Sequence, residues 1–266
     1  AQVEFDADIH AKECAFCATP VVTSTGSHRH IKPKAVLPFR LDQRAARSAM
    51  TDWLGSLWFA PNGLKEYARK GRKLNGIYVP YWTFDAQLNG DYEGQRGDHY
   101  YVSESYTTTV NGKSVRRTRQ VRKTRWSYAS GTINGFIDDT LISASQKKEN
   151  LLPKKITQWN LDLLKPYDSN YLAGFVTEKY TLSLTDGHLK ASDKARSIAT
   201  VWAKQDIGGD TQRLSSLNMT LSNETFKHIL LPVYISSYIY NNKKYHFYVN
   251  GQSGAIKGGD SYPSNQ

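Results

Sequence analysis

Cys14 and Cys17 enclose two residues, and two thiolates at that spacing form half of a tetrahedral zinc site. The ion needs two further ligands. His28 and His30 could complete a Cys2His2 set, although a His-x-His pair so placed is an unusual spacing. Without metal, the same cysteines read as a redox pair, a disulfide or a remnant. A zinc ion held here would serve folding rather than chemistry.

The acidic residues offer less. Asp138 and Asp139 are adjacent, and neighbours on a strand point to opposite faces, so both enter one pocket only through a bulge. Asp206 and Asp210 flank Gly208-Gly209 and fit a helix end and turn. His228 reads as a structural histidine near a strand start. No Ser/His/Asp arrangement, His-Glu-x2-His or nucleophile elbow occurs. A phosphate-cradling Gly-x4-Gly-Lys-Ser/Thr is also missing, and Gly90, Gly94 and Gly97 lack its spacing. The expectation is a non-enzymatic protein that takes no nucleotide.

Charge gives the clearest signal. The chain of 266 residues holds 35 Lys+Arg against 24 Asp+Glu, a net charge of +11. No acid occurs between Glu104 and Asp138, where Lys113, Arg116, Arg117, Arg119, Arg122, Lys123 and Arg125 precede Trp126. Asn111-Gly112 is a strong type I′ hairpin signal. Residues 105–110 and 114–127 therefore read as an exposed ribbon. Arg117, Arg119, Val121, Lys123 and Arg125 share one face, and Arg116, Thr118, Gln120, Arg122, Thr124 and Trp126 the other. This ribbon could track phosphates with an aromatic for stacking. The plainer reading is a solvated hairpin whose cations guard an edge. Polyanionic partners include nucleic acid, anionic lipid and acidic protein.

The elements that must position these residues follow from periodicity. An apolar fraction of 39% with 12% aromatics excludes a disordered chain. No apolar run approaches the roughly 18 residues of a membrane span, so the part shown is expected to be soluble. Residues 2–6 alternate like a short strand. Asp42 is placed to cap a helix carrying Ala46, Met50, Trp53, Leu54, Leu57 and Trp58 on one face, with a shorter helix over about 64–70. Strands follow at 76–85, 92–101, the basic hairpin and 135–142. Residues 146–170 read as a connector. Then come a strand over 175–184, a helix capped by Ser192 and stopped by Gly208-Gly209, and strands at 214–221, 228–240 and 244–249. Turns are expected at Asn241-Asn242 and Asn250-Gly251. Pro80 and Pro232 each interrupt a strand-like run and should mark an edge or bulge.

Ile77-Tyr-Val-Pro-Tyr-Trp82 echoes Ile229-Leu-Leu-Pro-Val-Tyr234, each after a Trp-bearing helix. The expected fold is therefore α+β and β-rich, with two related units that each pack a helix on an antiparallel sheet. The division reads 1–40 as a partial zinc ribbon and linker and 41–145 as the first unit with the basic hairpin. Residues 146–170 are the connector and 171–266 the second unit.

Blocks along the whole chain resemble a bacterial zinc-ribbon family commonly labelled primosomal protein N′ (replication factor Y), or superfamily II helicase-like. Cys14-Ala-Phe-Cys17-Ala-Thr-Pro20 resembles its ribbon ending, with Ala18 where Gly is usual. Ile31-Lys-Pro-Lys-Ala-Val-Leu-Pro-Phe39, Trp53-Leu54 and Trp58-Phe-Ala-Pro61 match its next blocks. So do Tyr78-Val-Pro-Tyr-Trp-Thr-Phe-Asp85, Tyr92-Glu-Gly-Gln-Arg-Gly97 and Phe136-Ile-Asp-Asp139. The set ends with Tyr171-Leu-Ala-Gly-Phe175, Asp206-Ile-Gly-Gly-Asp210, Thr225-Phe-Lys-His-Ile-Leu-Leu-Pro232 and Val249-Asn-Gly-Gln-Ser-Gly254. The resemblance implies a zinc ion completed by a second Cys-x2-Cys upstream of Ala1, and for some members membrane helices beyond the final segment. The helicase part of the label fails for want of motor motifs. A ribbon completed upstream implies a cytoplasmic, reducing location, whereas a signal peptide upstream of Ala1 would make the cysteines a disulfide candidate.

Three functions remain in view. The first is an assembly module acting through protein contacts or self-association. The second is a nucleic-acid-binding accessory protein that uses the basic hairpin. The third is a membrane-surface scaffold whose hairpin faces anionic lipid.

Overall fold

The computed structural model describes residues 9–13, 20–22, 31–56, 74–146, 152–153, 156–240 and 243–258. The strand expected over 2–6, the helix over 64–70 and the turn at Asn241-Asn242 lie outside them. The fold is mixed α+β and strand-rich. In chain order it comprises β1 (Ile9–Glu13), β2 (Pro20–Val22), β3 (Ala35–Val36), α1 (Gln43–Ser56), β4 (Asn75–Val110) and β5 (Lys113–Ser143). After these come β6 (Lys165–Pro166), β7 (Val176–Glu178), α2 (Leu184–Ile207), β8 (Thr211–Tyr240), β9 (Lys243–Asn250) and β10 (Ile256–Gly258), with short 3-10 turns at Leu161–Leu163 and Ser169–Leu172. The ten-stranded sheet runs β10-β9-β8-β4-β7-β1-β2, with β5 added to β4 and β3, itself paired with β6, added to β8.

The chain folds into two compact units. One comprises Ala1–Phe84, Leu141–Leu189 and Phe226–Gln266, and the other Asp85–Thr140 and Lys190–Thr225. This differs from the sequential division at 145 and 171. The reason is strand length: the separate runs expected over 76–85, 92–101 and 105–110 are one strand, β4, and those over 214–221 and 228–240 are another, β8.

In the first unit, Asp42 caps α1 as expected, its Oδ1 accepting the Ala45 N–H at 2.7 Å. Ala46 and Met50 then bury against Leu74, Phe247, Val249 and Ile256. The apolar run of β4 is continuous because both faces are covered. Ile77, Val79 and Tyr81 join Ile229, Leu231 and Val233 on one side, while Tyr78 joins Val36 and Leu230 on the other.

Neither proline stands on an outer strand of the sheet. Each marks a change of neighbour along one edge of its strand. The carbonyls of His228 and Leu230 accept from Lys34 and Leu37 around β3, and that of Pro232 from Gly251, where β9 takes over. Pro80 likewise follows the parallel pairing of Ile77 and Tyr78 with β7, and its carbonyl accepts from Ala144 beyond β5. A missing N–H is tolerated where the ladder is already interrupted. The equivalence extends further, because Ile229 and Leu230 pair in parallel with β3 as Ile77 and Tyr78 pair with β7.

In the second unit, β4 and β5 alternate and lay one face on α2. Leu88, Tyr92, Ile133 and Ile137 pack against Ala195, Ala199, Ala203 and Ile207. Alanines every four residues bring the helix close. Gly135 makes room for Trp202, whose ring lies 2.6 Å from where a β-carbon would be. α2 begins well before Ser192, which lies inside the helix. Ser183 is the cap: its Oγ accepts the Asp186 N–H at 3.0 Å and donates to the Asp186 carboxylate at 2.7 Å. The strand expected over 175–184 accordingly shortens to β7. The helix stops at Gly208-Gly209, both at positive φ.

Buried tyrosines give a first prediction. Burial raises Tyr78 and Tyr81 well above the ordinary tyrosine value. Tyr92 is pushed up to about 12 by burial and then by its hydrogen bond to the Asp206 carboxylate. The folded chain thus keeps protons that the unfolded chain releases above its ordinary value of about 10. Stability from this source is complete below that pH and falls as pH rises toward about 12. Denaturant midpoints should be flat to mildly alkaline pH and then decline, with a shallower decline in Tyr92→Phe. A midpoint that rises above pH ~10 contradicts this assignment.

Candidate binding ribbon and carboxylate cluster

The basic hairpin forms as its sequence requires. Asn111 and Gly112 take φ of 50° and 73°, the left-handed pair of a type I′ turn. Residues 109–120 are all exposed. One face is zipped across the strands: Lys123 and Arg119 reach Glu104 at 3.1 and 3.6 Å. The hydrogen bond from Lys123 chiefly holds the Glu104 carboxyl below its usual range. On the same face Arg119 lies over Tyr106 and Arg125 over Tyr100, at 5.6 and 5.7 Å from the ring centroids. On the other face Gln120 donates to Ser103 at 2.8 Å. Trp126 is not an open stacking platform, because the Arg213 guanidinium covers its ring at 3.9 Å. Lys113, Arg116, Arg117 and Arg122 stay exposed with no ion pair to a described residue. The seven cations therefore divide into an anchored set, Arg119, Lys123 and Arg125, and a free set, with Lys113, Arg116 and Arg117 toward the turn and Arg122 nearer the base.

The structure also assembles a carboxylate group that sequence reasoning missed. Asp85, Asp138 and Asp139 bring one ligand oxygen each within 4.8 Å of one another. Asp139 reaches the same site as Asp138 because its φ is 47°, the bulge that alternation demands. Asp85 is buried; its Oδ1 accepts the Asp139 N–H at 2.9 Å and its Oδ2 the Thr225 hydroxyl at 2.9 Å. Three carboxylate oxygens suit a hard divalent cation. Protein donors already occupy both Asp85 oxygens, so the group also holds the β5 bulge in place without an ion. Nothing in the local sequence of Asp85 marks it, since it ends an apolar strand run.

The remaining candidates are structural. Asp206 accepts from Tyr92 at 2.5 Å, and Asp210 from the His99 N–H at 2.6 Å. These bonds fix the helix end that the two glycines open. His228 is buried, with Nδ1 2.8 Å from the Ile31 carbonyl.

A Bacillus subtilis (strain 168) protein matches this chain. It is described as the uncharacterized protein YdjG and is 26% identical over 233 residues, 86% of this chain and 64% of its own length. The chain thus spans less than two thirds of that relative. No family model and no solved structure matches.

Cys14 and Cys17 lie outside the described residues. The strands on either side, β1 and β2, pair antiparallel with Glu13 opposite Pro20. No helix among the described residues is long and apolar enough to cross a membrane.

Proposed function

We propose that this chain is a non-enzymatic binding and assembly module whose basic ribbon engages an acidic surface on a partner protein. The observation that carries the reading is the free cations: Lys113, Arg116 and Arg117 near the tip and Arg122 behind them project from both sides of an exposed two-stranded ribbon. A protruding tip charged on both sides suits insertion against an acidic concavity, where complementary charge steers encounter. Nucleic-acid binding is the second reading, favoured by the same four cations. Two features count against it. Trp126 already carries Arg213, and Glu104 neutralises part of the charge at the ribbon's base. Docking on anionic lipid is the third.

Two further elements belong to this reading. The pairing of β1 with β2 around residues 14–19 suits a zinc knuckle completed by ligands from elsewhere, which would brace the first unit. The recurring order of short strand, helix, long strand and strand supports an internal duplication. β3-α1-β4-β5 and β7-α2-β8-β9 would be the two copies, each short strand pairing with the long strand of the other.

The test is charge reversal at Lys113, Arg116, Arg117 and Arg122 together, read by in-cell crosslinking and mass spectrometry. Wild-type crosslinks from 111–123 should reach acidic segments of a specific protein and be lost in the variant. Salt-steep DNA binding that the reversal abolishes would instead establish the second reading. Binding to phosphatidylglycerol vesicles, lost in the same way, would establish the third.

A further inference from the structure

β5 has one hydrogen-bonded neighbour, β4, among the described strands. Its other edge presents backbone donors and acceptors to whatever lies beside it, and proteins commonly guard such edges with charge or proline. Along β5 that protection is uneven. Residues 116–125 carry six cations, whereas Ser127-Tyr-Ala-Ser-Gly-Thr-Ile-Asn-Gly-Phe-Ile137 has neither charge nor proline. Only at Asp138 and Asp139 does charge return, with the opposite sign, and the positive φ of Asp139 interrupts the regular pleat of β5 there.

This unguarded stretch has a pattern of its own. On the face away from α2, Tyr128 is 70% and Phe136 57% exposed. They stand equally far from Thr132, which is also exposed. On the helix face Ala129, Gly131 and Gly135 are small and Ile133 alone is large, buried against α2. Aromatics spaced evenly about a centre, with cations beyond one end and acids beyond the other, describe a strand complementary to itself when reversed.

We infer that β5 pairs antiparallel with β5 of a second copy of this chain, about a two-fold axis at Thr132. In that register each Tyr128 lies opposite the other copy's Phe136, giving two cross-strand aromatic pairs. Ala129 meets Gly135, Gly131 meets Ile133, and Ser130 meets Asn134. Arg125 of each copy lies toward the Asp138–Asp139 end of the other, so the charges at the two ends attract. A parallel arrangement would set the cationic run against itself and is disfavoured. The interface is isologous and closes as a dimer. It leaves the ribbon tip free, and so stands independently of the reading given to Lys113, Arg116, Arg117 and Arg122.

Sedimentation equilibrium of the purified chain tests it. The wild type should show a monomer–dimer equilibrium. Tyr128→Lys and Phe136→Glu should each raise the dimer dissociation constant about tenfold, because each removes both aromatic pairs. Combining the two substitutions sets the introduced lysine of each copy against the introduced glutamate of the other, and so should recover the dimer. Circular dichroism should be unchanged in all three variants, since both side chains lie at the surface. In an otherwise wild-type chain, Thr132→Cys should form a 132-to-132 disulfide under mild oxidation, mapped by mass spectrometry apart from Cys14 and Cys17. A wild type that stays monomeric overturns the inference. So does a dimer indifferent to both single changes, a double variant no better than either, or a Thr132→Cys chain that links elsewhere. Tip charge reversal should leave the dimer intact, so the two proposals fail separately.

Discussion

Replacing Asn250 by alanine should lower the unfolding free energy by roughly 3 kcal/mol or more, among the largest effects available to one side chain in this protein. Asn250 is fully buried and none of its side-chain hydrogen-bonding capacity faces water. Its amide donates to the carbonyls of Ile156 and Gln158 at 2.8 and 3.1 Å, and its Oδ1 accepts from the backbone N–H of Gln252 and Ser253 at 2.8 and 2.9 Å. One residue thus closes the turn after β9 and pins the connector at 156–158. Gln252 extends the tie by accepting from the Asn160 N–H and donating to its carbonyl, at 2.8 and 3.0 Å. Alanine deletes the partner but leaves four backbone groups in place, and each unsatisfied buried group costs about 1–3 kcal/mol. Local rearrangement and entering water recover part of that sum. Asn250→Asp is the sharper control. It keeps the acceptor but turns the donor into an oxygen facing two carbonyls, so it should be at least as damaging at neutral pH. Chemical denaturation of both variants checks this, and a loss below about 1 kcal/mol in Asn250→Ala would show the turn held by other contacts.

The Asn250 knot also shows what sequence can and cannot convey. Asn250-Gly251 is legible as a turn, because Asn and Gly are turn residues by local chemistry. Its function as a clamp is not, since the partners at 156–160 are remote in sequence. The same boundary recurs elsewhere. Asn111-Gly112 determines the ribbon, and Asp42 the start of α1, because both signals act within a few residues. Ser183 carries a local cap signal too, with Asp186 three residues on, but the alternating pattern before it reads as strand. The rest depends on contacts across the fold. Trp126 is free by its sequence and covered by Arg213 in the fold. Asp138 and Asp139 diverge on a regular strand, and only the left-handed φ at Asp139 turns them toward Asp85. Burial on both faces of Ile77–Trp82 is visible as an unbroken apolar run. Which elements cover those faces is not, because that depends on the order of strands in the sheet.

Trp82→Ala should cost about 3–5 kcal/mol, the range for deleting a large buried aromatic. Trp82 is fully buried, and it joins three parts of the chain that β4 alone would leave separate. Its indole N–H donates to the Leu182 carbonyl at 3.1 Å, just before the Ser183 cap of α2. Its ring packs at 4.9 Å from Tyr180 and 5.0 Å from His228. Those two residues hold the incoming chain at Ile31: the Tyr180 hydroxyl accepts the Ile31 N–H at 3.0 Å, and His228 Nδ1 lies 2.8 Å from the Ile31 carbonyl. A carbonyl can only accept, so Nδ1 carries the proton and its ring orientation is fixed. Removing the indole opens a cavity between these contacts and frees both rings to shift. Trp82→Phe separates packing from hydrogen bonding, because it keeps most of the ring volume and leaves the Leu182 carbonyl without its donor. It should cost about 1–3 kcal/mol. Amide exchange gives the second readout: in Trp82→Ala, protection at Ile31 and Lys34 should fall further than protection in Ala195–Ala203 of α2, which packs against β4 and β5 through other residues. Equal loss at both places would mean that Trp82 supports general stability alone and that the strap at Ile31 is held independently of it.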